Sequence, residues 1–389
     1  MMRIFLIAGE ASGDRLGAAL MAGLTDLLEG EVEFSGVGGP LMQAEGLDSL
    51  FPMDELSVMG LAEILPKYRQ LKRRIAETAD AALSTKPDVM ITIDSPDFCL
   101  RVAKLVKAAS NTRTVHYVAP SVWAWREGRA DKMAKVIDHV LALLPFEPPL
   151  MEAAGMECSF VGHPVVSEPQ ASAAEATLFR AKHRWGKGKV LLVLPGSRRG
   201  EVSRLTPTFG AVLADVVAEH PDLNVVIPTT GNVTDLVKEQ VADWPVEPLV
   251  MDPRGMDPAI YKLEKAAAFA AADAALAASG TVSLELAAAG TPMVIAYDMN
   301  WLSRIIITRM LKVDTVTLVN LVSDTRTVPE FIGKRCLPEL IAPAVNDVLK
   351  GARGQQEAME LTMQRLGRGG QAPGKRAAHA VLRGMGVEV

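Results

Sequence analysis

Cysteine is scarce in this chain of 389 residues. Its three cysteines, Cys99, Cys158 and Cys336, are widely spaced and odd in number. That excludes a disulfide framework and a zinc ligand set, and it suits a reducing compartment where each thiol serves as a small apolar side chain. An excess of one charge is also lacking, with 41 Lys and Arg against 46 Asp and Glu. A strongly basic nucleic-acid binder is therefore excluded. Long apolar runs are absent too. The longest stretches without a charged residue, Thr114–Trp125, Leu223–Thr234 and Leu286–Tyr297, are 12 residues each and are broken by Pro, Gly or polar groups. A membrane-spanning helix needs about 20 apolar residues. The first apolar run, Ile4–Ala8, is too short for a signal-peptide core. A cytoplasmic protein is expected, with any membrane contact peripheral. Neither GxGxxG nor a Gly-Lys-Ser/Thr phosphate loop occurs, which argues against a dinucleotide dehydrogenase and against ATP hydrolysis.

What is present is an ordinary globular composition, 49% apolar and 22% charged, in a length that suits roughly two domains. Arg3–Ala8, Val32–Phe34, Asp88–Asp94, Thr114–Val118 and His139–Leu143 read as strands, with helices from about Asp14 to Glu29, Leu71 to Leu83 and Leu100 to Ala109 between them. Continuous rather than alternating apolarity marks strands buried on both faces, as in parallel sheets. Pro164, Pro169, Gly186 and Gly188 flank a polar stretch, so 163–188 reads as a linker. Beyond it the alternation restarts at Lys189–Leu194 and continues through Asn224–Pro228, Ala274–Ala277 and Pro292–Tyr297. The expected fold class is α/β, with two doubly wound domains at 1–165 and 166–354. Ligands of such domains bind beyond the carboxyl ends of the strands. A helical tail is expected over 355–389, packing back on the first domain or onto a partner.

Turns at the strand ends carry the chemistry. Gly196, Ser197 and Arg198 lie between a strand and a helix. There, backbone N–H groups and an arginine fork suit a phosphate, although a capped helix with a solvated Arg pair fits the same pattern. Ser279, Gly280 and Thr281 repeat the arrangement, and Glu285, one helical turn on, can accept from ribose hydroxyls or be a plain exposed carboxylate. The first turn, Gly9-Glu10-Ala11-Ser12-Gly13-Asp14, carries acid that would repel a diphosphate and better suits sugar hydroxyls. Alternatively, Asp14 caps its helix and Glu10 is turn polarity. Asp94 and Asp97 close a buried strand and are either general-base candidates or caps of the next helix. The pair lacks a DxD pattern and a histidine cluster, so a metal site is poorly supported. His116, Trp123, Trp125 and Arg126 fall in one segment that suits stacking on a sugar, against core packing of the aromatics. His163 is a further cleft candidate beside a structural role. Apolar residues from Leu56 to Leu65, followed by Lys67, Arg69, Lys72, Arg73 and Arg74, suit an anionic membrane surface or a lipid tail. Taken alone, that pattern fits better a packed helix with a solvated basic face.

Joint order and spacing say more than any one motif. Gly9-Glu-Ala-Ser-Gly-Asp14, Gly36-Val-Gly-Gly-Pro40, Asp94-Ser-Pro-Asp-Phe98, His116–Arg126, Leu144-Pro-Phe-Glu147, Val161-Gly-His-Pro164, Leu194-Pro-Gly-Ser-Arg198 and Ser279-Gly-Thr281 with Glu285 together resemble the lipid-A-disaccharide synthases, bacterial inverting glycosyltransferases. The resemblance implies a GT-B fold, two Rossmann-like domains with an interdomain cleft, and the nucleotide in the second. It implies transfer of 2,3-diacylglucosamine from UDP to the 6-hydroxyl of 2,3-diacylglucosamine 1-phosphate, with inversion and without metal or cofactor. Asp97 matches the family's base, with Asp94 and Glu10 as fallbacks. Gly196, Ser197, Arg198, Ser279, Gly280, Thr281, Glu285 and Asn320 fall on the donor side. Ser12, Gly13, His116, Trp123, Arg126 and His163 fall on the acceptor side. Leu318-Val-Asn-Leu321 stands where the family has Leu-Pro-Asn, and Glu330 is a further candidate. Peripheral attachment to the inner face of the inner membrane, and a homodimer with exchanged C-terminal segments, are implied as well. The alternatives are a UDP-sugar 2-epimerase and a non-catalytic UDP-sugar-binding protein.

Overall fold

The computed structural model describes residues 1–56, 61–123, 128–299 and 313–388, and for 61–67 the backbone alone. The chain forms two units. One comprises Met1–Ser167 with Leu366–Val389, the other Glu168–Arg365.

In the first unit seven strands form one parallel sheet. They are β1 (Met2–Ala8), β2 (Val32–Val37), β3 (Asp48–Ser49), β4 (Val89–Ile93), β5 (Arg113–Tyr117), β6 (His139–Ala142) and β7 (Glu157–Phe160), in the order β3-β2-β1-β4-β5-β6-β7. The helices among them are α1 (Ala11–Leu27), α2 (Pro40–Ala44), α3 (Leu61–Thr85), α4 (Pro96–Ala109), α5 (Gly128–Met133) and α6 (Pro148–Ala153). Alternate residues of β1 feed two separate cores. Ile4, Leu6 and Ala8 pack with Leu16, Leu20 and Leu24 of α1. Phe5 and Ile7 pack with Ala79 of α3 and with Cys99, Val102 and Val106 of α4. This double burial is why the strand is apolar at every position.

The first core is completed from the far end of the chain. The helix Pro373–Gly384 contributes Ala377, Ala378, Val381 and Leu382 to it, and Lys375 pairs with Asp26 of α1. A Cβ at Gly374 would lie 2.5 Å from the Ala19 carbonyl, so only glycine allows the two backbones to come this close. The 355–389 tail is therefore shared between units. The helix Arg353–Arg365 belongs to the second, where Gln355 meets the backbone of Met293 in both directions, accepting at 2.8 Å and donating at 3.0 Å.

The second unit has β8 (Val190–Leu194), β9 (Asn224–Pro228), β10 (Leu249–Met251), β11 (Ala274–Ala277), β12 (Met293–Tyr297) and β13 (Glu330–Ile332), all parallel, in the order β10-β9-β8-β11-β12-β13. Its helices include α7 (Ala173–Lys182), α8 (Arg199–Glu219), α9 (Thr234–Gln240), α10 (Pro258–Ala271) and α11 (Val282–Ala289). Val202, Leu205, Phe209, Val212, Leu213 and Val216 form the helical stripe of α8 that covers Leu191 and Val193. Helix α7 lies inside the stretch expected to be a linker. Ser172 and Glu175 cap it reciprocally, a signal present in the sequence as Ser-Ala-Ala-Glu.

Asp14 differs from its expected role. It sits in the first turn of α1, yet its buried carboxylate accepts from the backbone N–H groups of Gly39 (2.9 Å), Leu41 (3.0 Å) and Met42 (3.0 Å). It caps α2 rather than its own helix. Removing it leaves buried donors unpaired, so Asp14→Ala is expected to cost about 3 kcal/mol, measured as a lowered urea midpoint.

Candidate functional site

Both sheets have the same central feature. From β1 the chain runs through α1 to β2 on one side, and from β4 through α4 to β5 on the other. The pair β8 and β11 repeats this in the second unit. Where the connections diverge, the turns after two adjacent strands leave a crevice that no crossover covers, and ligands of doubly wound sheets bind there.

In the second unit Leu194 and Ala277 are register partners, and the Ala278 N–H donates to the Leu194 carbonyl at 2.8 Å. The two phosphate-like turns therefore leave the sheet side by side. Gly196 has φ +113° and Gly280 φ +149°, both in the left-handed range that favours glycine. At Gly196 a Cβ would also fall 2.6 Å from Glu201 Oε2. Ser197, Arg198, Gly280 and Thr281 are exposed and Ser279 is half-buried. Helices α8 and α11 begin at these turns, so their first N–H groups and dipoles favour an anion. Arg198 pairs with Glu201 at 3.3 Å, and Glu201 also accepts from the Tyr297 hydroxyl at 3.3 Å. Burial raises the pKa of that phenol, and the Glu201 charge adds to the effect. Glu285 is held by Lys265 at 2.6 Å.

Asn320 is placed differently. It is buried, and it donates to the Val328 carbonyl (2.9 Å) while its Oδ1 accepts from the Val328 N–H (3.0 Å). Glu330 accepts from Asn320 at 3.2 Å and from the backbone N–H of Thr317 at 2.8 Å, and it also bonds the Thr315 hydroxyl. Both side chains brace the chain that enters the helix Leu318–Ser323.

In the first unit Ala8 and Ile93 are register partners, which brings the two acidic turns together. Ser12 Oγ donates to Asp94 Oδ2 at 3.3 Å. Gly13 packs closely enough that a Cβ would lie 3.3 Å from the Ile93 carbonyl, and one on Gly9 would lie 2.5 Å from Ser95 Oγ. Glu10 is the half-buried residue preceding α1. Asp97 is exposed in the first turn of α4. Asp94 and Ser95 both have left-handed backbones, with φ +53° and +43°, and Val118, just after the neighbouring β5, has φ +87°. Each such non-glycine position costs about 1–3 kcal/mol, and strain of this kind concentrates at functional sites.

The other acceptor-side residues separate. His116 is buried within β5, sealed from solvent. Its Nδ1 shares a hydrogen bond of 2.7 Å with Thr92 Oγ1, which also lies 3.1 Å from the Val115 carbonyl oxygen. Desolvation pushes its pKa down to about 4. His163 accepts the Val165 N–H on Nδ1 at 3.2 Å, and its backbone N–H donates to the Leu366 carbonyl at 3.3 Å, where the chain returns to this unit. Trp123 packs edge-to-face on Phe146 at 5.5 Å. Trp125 and Arg126 lie outside the described residues, as do Val58 and Met59 of the Leu56–Leu65 segment, and nothing is described of the side chains of Leu61, Ile64 and Leu65. One residue escaped the sequence reading of sites altogether. Glu147 is 4% exposed, and burial pushes its carboxyl up to about 7. Only its place in the Leu144-Pro-Phe-Glu147 motif hinted at it.

Comparison with known proteins narrows the chemistry. A family model described as "Lipid-A-disaccharide synthetase" matches residues 4–382. The chain belongs to that family. A Ruegeria pomeroyi lipid-A-disaccharide synthase is 66% identical over 98% of this chain and 95% of its own length, and one from Rhodospirillum centenum is 48% identical over 97% and 94%. The chain is thus a glycosyltransferase of lipid A biosynthesis, and the epimerase alternative is not favoured. Solved structures agree on the GT-B fold. Acinetobacter baumannii MurG aligns with TM-score 0.55 at 14% identity, covering 99% of both chains. A Neisseria meningitidis UDP-GlcNAc 2-epimerase bound to UDP-GlcNAc aligns with TM-score 0.61 at 12% identity, covering 99% of this chain and 98% of that one. At such identities the likeness concerns the fold alone.

The neutral, buried His116 gives this family member a predictable acid limb. Its folded pKa lies below the unfolded value of 6.5. The native state therefore binds fewer protons between the two values, and stability falls as pH drops from about 6.5 to about 4. The loss approaches about 3 kcal/mol. Urea titrations at pH 7 and pH 4 are expected to show a drop smaller by about that amount in His116→Gln.

Proposed function

We propose that the chain transfers 2,3-diacylglucosamine from UDP to the 6-hydroxyl of 2,3-diacylglucosamine 1-phosphate, releasing UDP with inversion. One observation carries the donor side of this reading: the Gly196 and Gly280 turns follow register-paired strands and open two helices in one unit. The diphosphate accepts from the N–H groups of both turns, and Ser197, Ser279 and Thr281 offer hydroxyls. Arg198 neutralises the charge that grows as the glycosidic bond breaks, an electrostatic form of catalysis. Glu285, oriented by Lys265, accepts from the ribose hydroxyls. Asn320 serves the donor by bracing the neighbouring chain.

Asp97 takes the proton from the acceptor hydroxyl. Its exposure in the first turn of α4 supports this role, since a base must reach its substrate. Asp94, tied to Ser12 and to the Ser95 N–H at 2.9 Å, acts by fixing the turn, and Glu10 is the second candidate for the base. Ser12, Gly13, Trp123, Arg126 and His163 are proposed to line the acceptor side. His116 contributes by stiffening β5 beneath that surface.

The substrates are lipids, and among the described residues no helix is long and apolar enough to cross a membrane. Peripheral attachment at the inner face of the inner membrane is proposed. It is supported by exposed Arg69, Lys72 and Arg73 on α3. A homodimer that exchanges C-terminal segments would remake the contact of Pro373–Gly384 with α1 between two chains.

With purified protein, UDP-diacylglucosamine and the lipid-phosphate acceptor are expected to yield disaccharide and UDP. Asp97→Ala is expected to lower turnover about 10²- to 10⁴-fold while UDP affinity survives; near-normal turnover refutes the assignment. Arg198→Ala is expected to weaken UDP binding by about 1.5–3 kcal/mol, read by calorimetry, and an unchanged affinity counts against the donor site.

A further inference from the structure

The buried carboxyl of Glu147 is used by no step above, yet it is placed at the edge of the acceptor side. β5 and β6 are neighbours, with Tyr117 paired to Leu141, so the turns that follow them lie together. The first turn runs from the strained Val118 to Trp123. The second, Leu143–Glu147, ends at α6.

Glu147 directly precedes α6, but its side chain makes no bond to that helix. It folds back, and Oε2 accepts the Leu144 N–H at 2.9 Å. The indole N–H of Trp123 and the Leu143 N–H also face it and oppose the upward push of burial on its pKa. The indole falls outside hydrogen-bond geometry, and among the described residues its buried Nε1 has no acceptor. Phe146, the residue before Glu147, meets the Trp123 ring edge-to-face at 5.5 Å. On the other side, Cys158 of β7 senses the charges of Glu147 and Glu152, and its thiol is pushed up to about 12, chiefly by burial.

Val118 needs such support. A β-branched residue at φ +87° persists only where its surroundings over-determine it. Its N–H donates to the Leu141 carbonyl at 3.0 Å, which fixes one end of the turn. Further along, Ala119 and Val122 are buried in the core that also holds Ala142 and Met151, and Trp123 meets the Phe146 ring.

We propose that Glu147 is a positioning residue for acceptor binding: by accepting the Leu144 N–H its carboxyl fixes the Leu143–Glu147 turn, so that the Phe146 ring holds Trp123 in the place from which it meets the hexopyranose of a glycolipid acceptor. The carboxyl acts through its length and its acceptor oxygens and exchanges no proton with substrate. The proposal rests on reading the first unit as the acceptor side.

The test compares Glu147→Ala, Glu147→Asp, Glu147→Gln and Trp123→Phe in the full chain. Acceptor KM, kcat, UDP affinity by calorimetry and the tryptophan emission that Trp123→Phe removes are measured. Glu147→Ala and Glu147→Asp are expected to raise acceptor KM about tenfold or more, with UDP affinity unchanged and the Trp123 emission shifted. Glu147→Gln, which keeps length and an acceptor oxygen, is expected to restore both. Should the alanine variant not fold, Glu147→Asp alone decides, because it keeps the charge and withdraws it by one methylene. Unaltered acceptor KM and emission in Glu147→Asp overturn the proposal. A rise in acceptor KM that Glu147→Gln fails to rescue also overturns it. If the emission shifts and UDP affinity falls while acceptor KM stays, the acceptor reading of this unit fails instead.

Discussion

The pairing of two parallel strands at the centre of each sheet is the constraint on which the rest depends. β1 with β4, and β8 with β11, are each hydrogen-bonded neighbours whose following helices leave in opposite directions. The pairing places one turn beside another at a distance set by the sheet spacing. Residues 80 or more apart in sequence thereby become partners, as Ser12 and Asp94 do. The same rule gives two different surfaces. Carboxylates stand in the turns after β1 and β4, at Glu10 and Asp94, whereas Pro195–Arg198 after β8 and Ala278–Thr281 after β11 contain none. In the proposed function the diphosphate falls to the turns of the second unit and the acceptor sugar to those of the first.

This arrangement has a local cost. Turns that leave a strand and enter a helix within a few residues need unusual backbones. The second unit meets this with glycine at 196 and 280. The first meets it with Asp94, Ser95 and Val118, whose side chains are retained despite the strain. Glycine at 94 would relieve the backbone but remove the carboxylate that Ser12 and the Ser95 N–H meet. Polar networks brace other loops: Asn320 and Glu330 hold the chain that enters Leu318–Ser323 in one unit, and Glu147 holds Leu144 in the other.

The sequence discloses the fold through its buried strands, because Ile4–Ala8 and Val190–Leu194 must be apolar at every position to satisfy two faces. It discloses the candidate turns because glycine, serine and aspartate there have few other reasons to cluster. Burial inside a β-strand leaves no such mark. His116 reads like a ligand and is a core side chain, and Asn320 reads like a donor contact and is consumed by Val328 and Glu330. Asp14 sits where a cap belongs, but its partners on α2 are visible only in three dimensions. The division of the tail at Leu366 was equally hidden, since Gln355 binds the backbone of Met293 and any glutamine carries the same two groups. Glu147 was legible as a motif member and illegible as a buried acid.

The first unit is not continuous in sequence, and this shapes how the protein must come into being. A ribosome emits residues 1–167 long before it reaches Pro373–Gly384. During that interval Leu20 and Leu24 lack the apolar cover that Val381 and Leu382 later supply. The nascent chain therefore carries an uncovered apolar strip on α1 until Pro373–Gly384 has been made. A stop codon that deletes only the last short helix would leave every proposed reacting group encoded and still deny the first unit its finished interior.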